Sequence, residues 1–231
     1  MNNLSLTALI ATSPSAAFTE LRDRPKFLFP LLAIVLLSVG LQFWYFSSVD
    51  IEWLKDHLMS GNAAIQKLPE ADRARVMGAM SRNTLLWSSV LGSLITIPAM
   101  FAIQALYYLL AGKVTNLQKS FVQWFAIVCW SSLPIVLGAI VGAIMLAMHG
   151  SNAQMSPSEL QPLSLNELFF HRLPSQPGYA FFLSLSVITL LTWGLRVIGV
   201  RAWSDRSWVF STIFALLPFM LLYGVWALIA L

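Results

Sequence analysis

Charge is what this 231-residue chain lacks most: Asp, Glu, Lys and Arg make up 10% of it, while 58% is hydrophobic. Soluble domains carry about a quarter charged residues, so the composition excludes a water-soluble globular fold and implies a membrane-embedded one. Cysteine is nearly absent as well. The lone Cys129 cannot close an internal disulfide, and His57, His149 and His171 are scattered without zinc-site spacing. A net charge of +4, dispersed and with no basic stripe among stacking aromatics, excludes nucleic acid as a partner. Catalytic groupings are missing too. His57 lies near Asp56 and Glu52, and His171 near Glu167, but no Ser or Cys nucleophile completes either pair. The expectation is a protein that is not an enzyme, with no catalytic, cofactor-binding or metal-ligating residue.

What the chain does have is five long uncharged runs, at about 27–49, 83–112, 120–148, 179–195 and 207–231. A helix crossing the hydrocarbon core takes roughly 20 apolar residues, so each run qualifies, the fourth being the shortest. The segments of about 10 alternating residues that mark barrel strands are missing. The expected fold is all-α, a polytopic integral membrane bundle of five transmembrane helices. The first run starts too late and is too long for a cleavable signal. Residues 27–231 then form the membrane domain, with outer loops 50–82 and 149–178, and residues 1–26 form an arm.

Orientation follows from the cations. Arg22, Arg24, Lys26, Lys113, Lys119, Arg196, Arg201 and Arg206 fall on one side in short segments. Lys55, Lys67, Arg73, Arg75, Arg82 and Arg172 fall on the other in longer ones. The denser side is cytoplasmic, which puts the N-terminus inside and the C-terminus outside. Trp44, Trp87, Tyr179 and Trp226 near the outer ends, and Tyr107, Tyr108, Trp124, Trp193 and Trp208 near the inner ones, fit interfacial belts.

The arm contains SPSAAFTELRDRP. Ser13 reads as an N-cap with Pro14 at the first helical position, and Ala17, Phe18 and Leu21 recur at helical spacing against Glu20, Arg22 and Asp23. Arg24 precedes Pro25 and is pushed out of the helical region. The pattern predicts a short cytoplasmic amphipathic helix over about 14–24, serving as a membrane-surface anchor or as a docking helix. In the 3–4 loop, Ser156 to Glu159 and Ser164 to Glu167 both match the capping box.

With Arg196 assigned to the 4–5 loop, no ionisable residue falls in the middle of any span, which argues against a proton relay or ion path. Packing signals are plentiful instead. Ser88, Gly92 and Thr96 repeat every fourth residue on the second run, and Gly138 and Gly142 pair on the third, so both helices can approach a neighbour closely. Pro98, Pro134 and Pro218 free the carbonyls of Leu94, Trp130 and Phe214.

The N-terminal pattern SPSAAFTELRDRPKFLFPLL, and GKVTNLQKSFVQWFAIVCWSSLP with its Gly112 and Ser120–Phe121 pair, resemble the bacterial branch of the Yip1 family. The resemblance implies five spans, a cytoplasmic N-terminus and a place in the bacterial inner membrane. The Asp-Leu-Tyr-Gly-Pro motif of eukaryotic relatives, which work with small GTPases in trafficking, is missing here. Some bacterial relatives are accessory membrane subunits of ABC exporters, and the resemblance implies that role. The expected function is a non-catalytic membrane interaction subunit, attached to an ABC exporter or to further copies of itself. Membrane lipids are its surroundings, and Phe18, Leu21, Arg24, Ser88, Gly92, Thr96, Gly138 and Gly142 are its contact residues. The alternative is a transporter or lipid-handling protein for a neutral, lipid-like cargo, since such a cargo needs no buried charge.

Overall fold

The computed structural model describes residues 2–231, Ala63 and Ala64 by backbone only. It is all-α, with no strand among the described residues beyond two isolated bridges. The arm forms α1 (Asn3–Thr12), capped by Asn2, and α2 (Pro14–Asp23), which starts on Pro14 as its sequence requires and stops before Pro25. The first apolar run is α3 (Leu28–Ser48). The 1–2 loop folds into α4 (Ile51–Ser60), α5 (Ala63–Gln66) and α6 (Glu70–Ala79). Then come α7 (Arg82–Val114), α8 (Phe121–Ser131), α9 (Pro134–His149), α10 (Tyr179–Ser184), α11 (Val187–Ser204) and α12 (Trp208–Ala230).

Four helical stretches are long and apolar enough to cross a membrane: Leu28–Ser48, Arg82–Val114, Phe121–His149 and Trp208–Ala230. The 33 residues of α7 measure about 50 Å at 1.5 Å per residue, longer than a hydrocarbon core of about 30 Å. The expected span over 179–195 is not one helix. It breaks at Leu185, where the backbone turns extended to pair with the 3–4 loop: Leu165 N–H donates to Leu185 O at 2.7 Å and Val187 N–H to Leu163 O at 3.0 Å. Helix α11 then runs on to Ser204, so Arg196 and Arg201 are helical residues and not loop cations. A charge marked the wrong end because this one is buried, and burial does not end a helix.

The chain divides into two compact units. Unit 1 comprises Met1–Val35, Ile95–Ile135 and Thr189–Val225, and unit 2 comprises Leu36–Leu94, Val136–Ile188 and Trp226–Leu231. In unit 1 the core is aromatic: the Trp124 ring lies tilted, 5.5 to 6.1 Å between centres, against Tyr108, Trp203 and Phe214. Against it lies α2, with Ala17, Phe18 and Leu21 fully buried. Three side chains of α8 and α11 hold carbonyls of the arm at every fourth residue. Trp203 Nε1 donates to Phe18 O, Gln123 Nε2 to Arg22 O at 3.0 Å, and Trp130 Nε1 to Lys26 O.

Unit 2 packs Tyr45, Phe46, Val49, Leu54, Leu86, Val90, Leu146 and Met155 into one cluster. Its polar groups close backbone ends. Asp50 caps α4, the Arg82 guanidinium takes the carbonyls of Phe46 and Val49 at the end of α3, and Ser156 and Glu159 form the expected capping box. Ser164 Oγ accepts from Glu167 N–H at 3.2 Å, as its spacing predicts.

Candidate functional site

Along α11 the buried residues are Thr192, Arg196, Gly199, Val200 and Trp203, the spacing of a single helix face. Gly199 lets the ring of Phe18 come close: a Cβ there would sit 3.2 Å from it and 3.3 Å from Ile127. One turn away the same face carries Arg196, which is 3% exposed. The assignment of Arg196 to the 4–5 loop is therefore corrected, although α11 is not among the helices long and apolar enough to cross a membrane. A guanidinium stands on the packed face of a helix, inside unit 1.

Its neighbours come from three further helices. At the end of α8, Arg196 Nε donates to Ser131 Oγ at 3.3 Å and a terminal guanidinium nitrogen to Ser132 Oγ at 3.2 Å. Pro134 puts these hydroxyls there. Lacking an N–H, it ends α8 at Ser131, and the freed Trp130 carbonyl takes the N–H of Leu133 at 3.3 Å. The C-terminal end of α8, with its partial negative charge, faces the cation. From α7, the Tyr108 hydroxyl lies near Arg196 and donates to Ala215 O at 2.9 Å. Tyr107 donates to Phe214 O at 3.1 Å, the carbonyl that Pro218 leaves free. From α12, the Phe219 ring centre lies 4.9 Å from the guanidinium carbon.

Every oxygen around Arg196 belongs to a neutral group. Among the described residues no carboxylate pairs with it, and the acids of unit 1, Glu20, Asp23 and Asp205, are exposed. Two more buried oxygens have no partner: Thr192 Oγ1, one turn before Arg196, and Gln104 Oε1, one turn before Tyr108. Buried polar groups are ordinarily hydrogen-bonded. The site thus offers a cation, hydroxyls and two unused acceptors within an apolar unit. No group of three His, Cys, Asp or Glu among the described residues could hold a metal ion.

The residues singled out from sequence separate cleanly. Phe18 and Leu21 are buried within their own chain, while Arg24 is exposed beyond the end of α2. Gly138 and Gly142 are packing glycines of unit 2. A Cβ on Gly142 would lie 2.6 Å from Leu160 O and 3.1 Å from Leu41, and one on Gly138 would lie 3.3 Å from Ile188. Ser88, Gly92 and Thr96 are exposed, and nothing lies within 4 Å of a Cβ built on Gly92. Sequence reasoning missed Arg196, although the Thr192–Arg196–Gly199–Trp203 spacing that reveals its face was there to read.

A family model described as the Yip1 domain matches residues 8–229. No curated protein and no solved structure matches the chain.

Proposed function

The chain belongs to the Yip1 domain family of membrane proteins, and from that premise we propose that it is a non-catalytic accessory subunit that docks another membrane protein through α7. The open face of α7 carries this reading. Ser88, Gly92 and Thr96 lie exposed between Trp87, Leu91 and Ile95, which are 54%, 53% and 70% exposed. The other small-residue pair and the arm's apolar face are already occupied within the chain. Helices associate in lipid where small residues let backbones approach. An ABC exporter of the bacterial inner membrane, or a second copy of this chain, is the partner proposed.

The accompanying topology has five traverses, with the arm of residues 1–26 in the cytoplasm, residues 27–231 in the membrane and the C-terminus outside. Two regularities support it. The boundaries between the units, after residues 35, 94, 135, 188 and 225, each fall inside one of the five apolar runs. The eight cations assigned to the cytoplasmic side all belong to unit 1, and the six others to unit 2. Cysteines placed at the exposed Ser60 and Ser151 should label only from outside; labelling only from the cytoplasm inverts the topology.

Purification from native membranes tests the function. A subunit brings down a stoichiometric partner or itself. A self-sufficient carrier comes alone and moves cargo in liposomes. The second reading, lipid handling, is favoured by the Arg196 cluster, and the guanidinium removes the ground for expecting a neutral cargo.

A further inference from the structure

We propose that Arg196, with Ser131, Ser132, Tyr108 and Thr192, forms a binding site for a phosphate oxyanion, the headgroup of an anionic phospholipid. The proposal goes beyond the accessory-subunit reading and stands whether or not α7 meets a partner.

The case begins with what the fold does not need. A guanidinium taken out of water costs several kcal/mol, and apolar side chains of similar volume commonly do as well or better in such places. The hydroxyls of Ser131 and Ser132 accept from it at 3.3 and 3.2 Å but bring no negative charge, and the end of α8 brings about half of one. The charge is therefore only partly compensated by the chain itself. A phosphate supplies the missing charge and matches the planar fork of an arginine.

Two further observations point the same way. Thr192 Oγ1 and Gln104 Oε1 are buried without partners, each one helical turn from a member of the cluster. An anion bearing an ester and hydroxyls, as glycerophospholipid headgroups do, gives both of them something to bond, whereas a chloride does not. The wall of the site on α12 is the face-on ring of Phe219, set between Leu217 and Met220, which are 41% and 62% exposed. Those neighbours lie open to the surroundings, which for a membrane helix means acyl chains. A headgroup reaches the guanidinium by displacing one aromatic ring, with its own chains left outside against Leu217 and Met220. A buried arginine in a membrane protein, facing a lipid-exposed helix and lacking a carboxylate, is a functional-site signature.

The test uses the full chain in nonionic detergent, with phosphatidylglycerol, phosphatidylcholine or inorganic phosphate added and thermal stability read as a function of concentration. Phosphatidylglycerol should raise the melting temperature saturably and phosphatidylcholine should not. Arg196→Met should weaken the phosphatidylglycerol response by about 30-fold or more, the lower bound for removing one member of a buried charge pair. The same variant should keep or raise the lipid-free melting temperature. Arg24→Gln and Lys113→Gln, which remove exposed cations, should leave the response unchanged. An Arg196-dependent response to inorganic phosphate equal to that for phosphatidylglycerol upholds the oxyanion site and assigns it to free phosphate. An undiminished lipid response in Arg196→Met overturns the proposal, since the lipid then acts on surface cations. Should Arg196→Met fail to fold, Ser132→Ala and Thr192→Val, which retain the cation, decide the matter: weakening in either upholds the site, and no change in both overturns it.

Discussion

The two units draw on the same five apolar runs and both close backbone ends with polar side chains, but among the described residues only unit 1 buries a charged one. Unit 2 sets them at chain ends, with Asp50 on the first turn of α4, Arg82 on the last carbonyls of α3, and Ser156 with Glu159 on the loop. Unit 1 does the same for the arm with Trp203, Gln123 and Trp130, and in addition buries Arg196 with Ser131 and Ser132. The charges differ as well: eight Lys and Arg against three acids in unit 1, six against seven in unit 2. Caps satisfy backbone that would otherwise go unpaired, so unit 2's polarity serves the fold. A buried guanidinium without a carboxylate satisfies nothing the backbone requires, and under the oxyanion-site proposal its presence in unit 1 serves binding rather than folding.

That contrast breaks most visibly at glycines. Gly142→Leu forces a side chain onto the backbone of Leu160 and should cost about 3 kcal/mol, read as a drop in thermal stability with no change in oligomeric size. Arg82→Ala should cost about 2 kcal/mol by leaving the Phe46 and Val49 carbonyls without a donor. Within unit 1, Gly199→Leu pushes Phe18 off α11. It should cost about 1–2 kcal/mol and expose the arm to trypsin after Arg22. Gly138→Leu meets the Ile188 side chain, whose Cγ1 lies 3.3 Å from a built Cβ, and should cost about 1 kcal/mol, again without changing size. If Gly138→Leu altered size while Gly142→Leu did not, the packing role assigned to this pair would be wrong.

Much of this was legible in the residues. Pro14 starts α2, Pro25 stops it, Ser156 and Glu159 cap each other, and Pro134 divides the third run, because each of these acts through its own backbone or a neighbour three residues away. Arg196 was not legible by the same means. Loops are found by their charges, so a charge at the end of an apolar run reads as a loop; the Thr192–Arg196–Gly199–Trp203 spacing marks a face, but that this face is buried comes from residues such as Ser131, Tyr108 and Phe219, up to 88 positions distant in sequence. The break at Leu185 escaped for a similar reason: the residues that pull its backbone out of the helix are Leu163 and Leu165, in a loop whose Ser164–Glu167 cap announces its own turn but not this pairing. The spacing of Ser88, Gly92 and Thr96 was readable, but whether that face was covered or open was not.

The smallest stability effect belongs to the residue on which the functional reading depends. Gly92→Leu adds a side chain to open space and should change stability by no more than about 0.5 kcal/mol. The decisive measurement is therefore to purify wild type and Gly92→Leu side by side from native membranes, recording co-purifying mass and melting temperature together. An α7 docking face predicts that the stoichiometric partner, or the second copy, is lost from Gly92→Leu while the melting temperature holds. A complex of unchanged mass in Gly92→Leu, or a wild type that comes out alone, contradicts it.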